Sequence, residues 1–187
     1  MFIDICFPRG NEDEFLARAR ELGTKELMFV YREMPREKKS HYAAGIAGSQ
    51  FSKRAQLVLG SGNRALFENP RIHLLHSQER ISPKDSIRGP KSGMNEVLTK
   101  ILRDKGKAYG IAIADLMENP KLLARFKQNV KLCEDYDVPL VLASFASKPS
   151  QLRSADDYAA VAILLGVQKP VVALRNLHDH LEKPLTE

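Results

Sequence analysis

Tryptophan is absent from the 187 residues, cysteine occurs twice, and aromatic residues of all kinds make up 7%. The two cysteines, Cys6 and Cys133, have no Cys-x-x-Cys partner and lie in apolar segments, so a disulfide framework is excluded and buried free thiols are expected. No run of eighteen apolar residues occurs, and the start lacks the charged, apolar and cleavable regions of a signal peptide. A cytoplasmic protein with no membrane partner is the expectation. The glycine-rich turns that cradle phosphates are missing too: Pro8-Arg9-Gly10-Asn11 follows the first apolar run where a dinucleotide fold would place Gly-x-Gly-x-x-Gly. Gly60-Ser61-Gly62-Asn63 does not match a serine nucleophile elbow. With so few aromatics, no exposed pair in the sequence resembles a base-stacking platform.

What is present suits one core. A 43% apolar content in a chain of this length predicts a single domain over residues 1–187. Phe2-Ile3-Asp4-Ile5-Cys6-Phe7 reads as a strand buried on both faces. Asn11 opens a helix carrying Phe15, Leu16, Ala19 and Leu22, and Gly23 ends it. Residues 26–31 read as the second strand, 72–76 as a further one, 109–114 as the next, and 139–144 as the last. Helices are expected from Met94 to about Gly106, from about Pro120 through Cys133, from Ser154 to Gly166, and over about Lys169 to Leu181. Ser154 with Asp157 three residues later has the spacing of a capping box. Residues 34–70 show only loops and short strands such as Leu57-Val58-Leu59. Strand and helix alternate at least five times, which requires crossovers and a largely parallel sheet. Without a phosphate-binding turn, the expected architecture is an α/β, TIM-barrel-like fold, trimmed from the usual length.

Candidate chemistry is sparse. His73 and His76 fall on opposite faces of a strand, and His178 and His180 point apart on a helix, so neither pair is expected to ligate a metal. Asp4 and Asp115, at or just beyond strands, are the one carboxylate pair that a barrel mouth brings together for Mg²⁺ binding or acid–base work. The positive charge is more informative: 29 Lys and Arg stand against 23 Asp and Glu, a formal charge of +6. Residues 80–107 hold Arg80, Lys84, Arg88, Lys91, Lys100, Arg103, Lys105 and Lys107 against three acids. In a barrel, the segments that leave each strand share one rim, and they carry Arg9, Arg32, Arg36, Lys38, Lys39, Arg80, Lys84, Arg88, Lys91, Lys148 and Arg153. A cationic rim suits phosphate contacts, which are salt-dependent and insensitive to base sequence. The competing reading is a solvated charged face.

Two blocks of sequence resemble a known family. Lys91-Ser92-Gly93-Met94-Asn95, followed by the Val97-Leu98 helix, resembles the basic-Ser-Gly-Leu-Asn segment of archaeal ribonuclease P protein component 3, the family related to the thirty-kilodalton human subunit. Asn129-Val130, Val138 to Ser144, Leu152-Arg153-Ser154-Ala155-Asp156-Asp157-Tyr158 and Leu165-Gly166-Val167 follow that family's order. The resemblance covers about residues 88–168 and, more loosely, the first strand. It implies a barrel related to the metal-dependent polymerase-and-histidinol-phosphatase phosphoesterases. Their Asp-x-His-x-His strand is matched here by Asp4, Cys6 and Pro8, which implies loss of the hydrolytic metal site. Phe145 stands where the family has the glycine of Ser-Gly-Ala.

The resemblance further implies an RNA-binding subunit that supports a catalytic RNA, with its own Mg²⁺, in removing 5′ leaders from precursor tRNA. The implied protein partner is ribonuclease P protein component 2, together with the other ribonuclease P proteins, and no cofactor is expected on the protein itself. Arg88, Lys91 and Arg153 combine the family-like motifs with the rim and are the leading RNA contacts. Lys84, Lys148, Arg36, Lys38 and Lys39 share the rim. Lys100 and Arg103, three apart on a helix, rank second. Ser92 and Ser154 read as helix caps rather than nucleophiles, and Arg153 has an alternative as an ion-pair partner of Asp156 or Asp157. The alternative function is a degenerate phosphoesterase acting on nucleotides through Asp4, Asp115 and a borrowed metal; a third is an interaction scaffold.

Overall fold

The computed structural model describes residues 1–33, 35, 39–49, 51–53, 55–87 and 89–182. Among the described residues seven strands, β1 (Ile3–Cys6), β2 (Glu26–Tyr31), β3 (Tyr42–Ile46), β4 (Leu57–Gly60), β5 (Leu74–His76), β6 (Ala108–Ala112) and β7 (Leu140–Ala143), pair in sequence order. Every pairing is parallel. Helices α1 (Glu12–Glu21), α2 (Arg64–Glu68), α3 (Glu96–Asp104), α4 (Ile113–Glu118), α5 (Leu123–Asp135), α6 (Ala155–Leu165) and α7 (Pro170–Glu182) surround them. The sheet closes on itself just beyond β7. The Phe7 amide donates to the Ala146 carbonyl at 2.7 Å, and the Ala146 amide donates to Ile5 at 3.2 Å. The fold is therefore the expected TIM-barrel-like one, a nearly closed barrel with seven strands.

Alternation along each strand builds two shells. Ile3, Ile5, Met28, Val30, Ala44, Leu57, Leu59, Leu74, Ala108, Ala112, Val141 and Ala143 form the barrel interior. The intervening residues, among them Val58, Leu75, Tyr109, Ile111 and Leu142, pack against the helices, as the two-residue period of a strand requires. Leu177 of α7 joins the interior cluster, and Asn176 donates to the Leu140 carbonyl at 2.7 Å. Thus α7 lies at the N-terminal ends of β7 and β1.

Three boundaries differ from the sequence reading. Residues 42–46 and 57–60 are full barrel strands, and 64–68 form a helix, where only loops and short strands were legible. Small residues make β3, Tyr-Ala-Ala-Gly-Ile, nearly patternless; a Cβ on Gly45 would lie 2.7 Å from the Ser52 Cα, so backbone packs directly on backbone there. The strand expected over 109–114 ends at Ala112, and 113–118 wind into α4. Pro120–Leu122 form a single 3₁₀ turn before α5 begins at Leu123. The α6 start agrees with expectation: Ser154 and Asp157 cap one another reciprocally, and Gly166 ends the helix at φ 93°. Among the described residues no single helix is long and apolar enough to cross a membrane.

Candidate functional site

Among its described residues, the β5–α3 connection, residues 77–95, has only a 3₁₀ turn at Gln78–Arg80 and an isolated Ser86–Gly89 bridge, so side chains hold it. Arg125 of α5 does much of this. Its guanidinium, buried at 5% exposure, donates to the Glu79 and Ser82 carbonyls, each at 2.6 Å, and to the Asp85 carboxylate at 2.7 Å. Asp85 also accepts from the Lys91 amide at 2.9 Å, and these partners hold its carboxyl below the usual range, the Lys91 amide first. Beneath the loop, Asn129 donates to Glu79 Oε1 at 2.6 Å and to the Ser92 carbonyl at 3.0 Å, and the Tyr109 hydroxyl donates to Glu79. Burial pushes the Glu79 carboxyl up to about 8, and its Oε1 accepts from both Asn129 and Tyr109. Gly93 sits at φ 75° against the Gln78 backbone, where a Cβ would overlap the Gln78 carbonyl. Asn95 caps α3 by accepting from the Leu98 amide at 3.0 Å.

This loop and the start of α5 enclose a cleft of about 360 Å³ lined by Arg80, Ser82, Pro83, Lys84, Asp85, Asn119, Lys121, Leu122 and Arg125. Arg80 is already engaged, donating to Asp115 at 2.5 Å and to Glu118 at 3.2 Å. Arg125 is engaged with Asp85. Lys84 and Lys121 are exposed and make no ion pair among the described residues. The cleft therefore presents two available ammonium groups backed by two fixed guanidinium groups, a geometry suited to a phosphate oxygen.

The predicted site residues divide. Lys84 lines the cleft, and Lys91, exposed, lies on the same loop. Lys148 is exposed on the β7–α6 connection, its amide donating to Gln151 at 3.0 Å. Arg153 is folded back: its guanidinium donates to the Ser150 and Leu152 carbonyls at 2.8 and 2.7 Å, not to Asp156 or Asp157. Lys39 pairs with Asp13 at 2.9 Å on the flank of α1. Lys100 and Arg103 lie along α3 rather than on the rim, Lys100 5.2 Å from the Tyr136 ring and Arg103 paired with Asp104 at 2.8 Å. Arg36, Lys38 and Arg88 lie outside the described residues. Lys107, counted in the basic cluster, is buried at 2% exposure and donates to the Leu66 and Asn69 carbonyls, so it adds nothing to a surface. Lys121 and Arg125 carry no local signal in the sequence: Lys121 lies in the 3₁₀ turn before α5, and Arg125 occupies an ordinary position of that amphipathic helix.

Asp4 and Asp115 do not form an open carboxylate pair. Asp4 faces outward between β1 and β7, accepting from the Ser144 amide at 2.6 Å, the Ile5 amide at 2.9 Å and the Tyr158 hydroxyl at 3.1 Å. Burial raises its carboxyl to about 6 against those hydrogen bonds. It is a closure residue that ties the first strand to the last. Asp115 is bonded to Arg80. Among the described residues no cluster of three or more His, Cys, Asp or Glu is placed to hold a metal ion.

Fold and site together define an α/β-barrel protein with side chains from distant segments holding a cationic rim loop. By sequence the chain is similar to archaeal ribonuclease P protein component 3. That component of Methanosarcina mazei is 32% identical over 134 residues, covering 67% of this chain and 53% of the relative. The Methanosarcina acetivorans component is 34% identical over 112 residues, 57% of this chain and 44% of the relative; that of Methanothermobacter thermautotrophicus is 28% identical over 130 residues, 64% and 50%. The chain spans about half the length of the curated relatives it matches. No protein-family model matches it. A chain in the cryo-EM structure of archaeal ribonuclease P with mature tRNA superposes with a TM-score of 0.70 at 18% identity, covering 99% of this chain and 94% of that one, which is agreement in fold.

Proposed function

We propose that this protein is an RNA-binding subunit of ribonuclease P, which contributes no catalytic group and supports the catalytic RNA and its Mg²⁺ in removing 5′ leaders from precursor tRNA. The observation that carries this reading is the cleft between the β5–α3 loop and α5. Lys84 and Lys121 are available there, and family-like residues hold the loop in place. Cations fixed on a folded loop neutralise converging phosphates without the entropic cost of ordering a flexible tail, and each neutralised phosphate releases counterions. Lys91 and Lys148 extend the same rim. Arg153 is reassigned from direct contact to holding the β7–α6 connection. Ribonuclease P protein component 2 and the other ribonuclease P proteins are the partners this reading implies. The phosphoesterase alternative is disfavoured because Asp4 is committed to barrel closure and Asp115 to Arg80.

The test is reconstitution: ribonuclease P RNA, the partner proteins and precursor tRNA at modest Mg²⁺, with and without this chain. Cleavage that depends on the chain, with binding that weakens as salt rises, is the expected result. Metal-dependent phosphoester hydrolysis by the isolated chain would transfer support to the alternative.

A further inference from the structure

Three aromatic rings, from Phe7, His76 and Phe145, meet over the C-terminal mouth of the barrel, and the cationic cleft does not account for them. His76, the last residue of β5, stacks on Phe145 with ring centroids 4.9 Å apart and 19° between planes. Phe7, just beyond β1, packs against both at 5.7 and 6.4 Å. Phe145 is buried, whereas Phe7 and His76 keep part of their surface open. Two backbone adjustments hold the rings in place. Phe145 sits at φ 52°, a left-handed conformation that costs a bulky residue energy. Gly110 on β6 leaves room where a Cβ would lie 2.5 Å from the Phe145 ring.

Closing the barrel does not by itself call for this arrangement. Apart from Phe145, the buried residues of the interior cluster are aliphatic or, at Met28, a thioether. What rings add is a π face at the rim. Burial lowers the His76 imidazole to about 4, against a smaller upward pull from Asp115, so the stack is uncharged at neutral pH. Arg9 and Lys148, on the connections that follow Phe7 and Phe145, are exposed and make no ion pair among the described residues.

We propose that Phe7 and His76, backed by Phe145, form a stacking platform for one unpaired nucleobase of an RNA, with Arg9 and Lys148 taking the flanking phosphates. The inference rests on the RNA-binding reading above and adds a base-dependent contact to it. Every base has a π face, so the platform accepts an unpaired nucleotide with little sequence preference and rejects one held in a duplex.

The probe is a short single-stranded RNA carrying 2-aminopurine, compared with the same sequence fully paired. Stacking quenches the fluorophore when the parent protein is added, and Phe7→Leu and His76→Leu each weaken single-strand affinity by about fivefold or more. Both leave duplex affinity within about twofold, because the rim cations are untouched. Phe7→Tyr retains the ring and binds as the parent does. Absence of quenching with the parent protein overturns the platform without recourse to any variant. So does equal single-strand binding by folded Leu variants, and in either case salt-dependent duplex binding leaves the rim reading standing. Failure of both RNAs to bind sinks the two together.

Discussion

The side-chain amide of Asn129 donates to the Ser92 carbonyl at 3.0 Å, joining segments 37 residues apart. These are the two stretches of sequence that most resemble the component 3 family. Their meeting point is a buried network, not a surface. Ser92, Gly93 and Asn129 hold the base of the β5–α3 loop, and the exposed lysines project from what they hold. Of the residues that carry the family likeness, Ser92, Gly93 and Asn129 therefore position the candidate RNA contacts, while the exposed Lys91 stands among those contacts.

Substitution at this junction tests that division of labour. Asn129→Ala removes one of the two donors to Glu79 and leaves the buried Ser92 carbonyl unpaired, so a loss of about 2–3 kcal/mol is expected in urea denaturation. Gly93→Ala is expected to cost more than about 2 kcal/mol, because the left-handed backbone and the Gln78 carbonyl both oppose a side chain.

Removing charge from the cleft has the opposite signature. Lys84→Ala with Lys121→Ala is expected to leave the thermal midpoint nearly unchanged while reducing RNA affinity. It is also expected to flatten the salt dependence by up to about one unit of slope for each phosphate that is no longer neutralised. Arg153→Ala is expected to lower the midpoint with little change in salt slope, since its guanidinium serves the Ser150 and Leu152 carbonyls. A reversed pattern, with Arg153→Ala flattening the slope at constant stability, would restore Arg153 as a direct contact.

Arg125→Lys separates shape from charge. Lysine keeps the positive charge but lacks the planar fork that reaches Asp85 and two carbonyls at once. A loss of about 2–4 kcal/mol is expected, together with weaker RNA binding because Lys84 and Lys91 lose their anchored loop. Stability equal to the parent would show that charge alone suffices.

The pH dependence has two arms. In the native state Glu79 titrates at about 8 instead of 4.5, raised chiefly by burial. Between those values the native state holds a proton that the unfolded chain has released. Stability from this group is therefore present below about pH 4.5 and lost as pH rises through 8. Asp4, raised to about 6 by burial, acts in the same direction over a lower window. His76 acts oppositely: its native value of about 4 against 6.5 means stability is lost as pH falls through that interval. Glu79→Gln is expected to flatten the alkaline arm, measured as urea midpoints from about pH 5 to about pH 9. An unchanged slope would place Glu79 outside the titration.

Much of the barrel was legible from local pattern. The apolar run of β1, the stripes of α3 and α5, and the Ser154–Asp157 cap with its Gly166 stop each depend on neighbours within a few residues, where side-chain periodicity and hydrogen-bond spacing act directly. Leu57-Val58-Leu59 was legible as a short strand, whereas 42–46 escaped because a strand of small residues shows itself only when its partners are in register, and those partners come from other parts of the chain.

By itself the sequence determined an alternating α/β chain, the concentration of positive charge after residue 80, and the likeness to component 3. Only the tertiary structure decided which charges remain available: Lys107 is buried, Arg80, Arg125 and Arg153 are committed to the fold, and Lys84 and Lys121 come together in one cleft. It also gathered Phe7, His76 and Phe145, contributed by three different strand ends, into one cluster. The physical reason is common to both. A side chain's pattern records the element it sits on, whereas its partners are set by barrel closure, which brings the ends of distant strands to one rim.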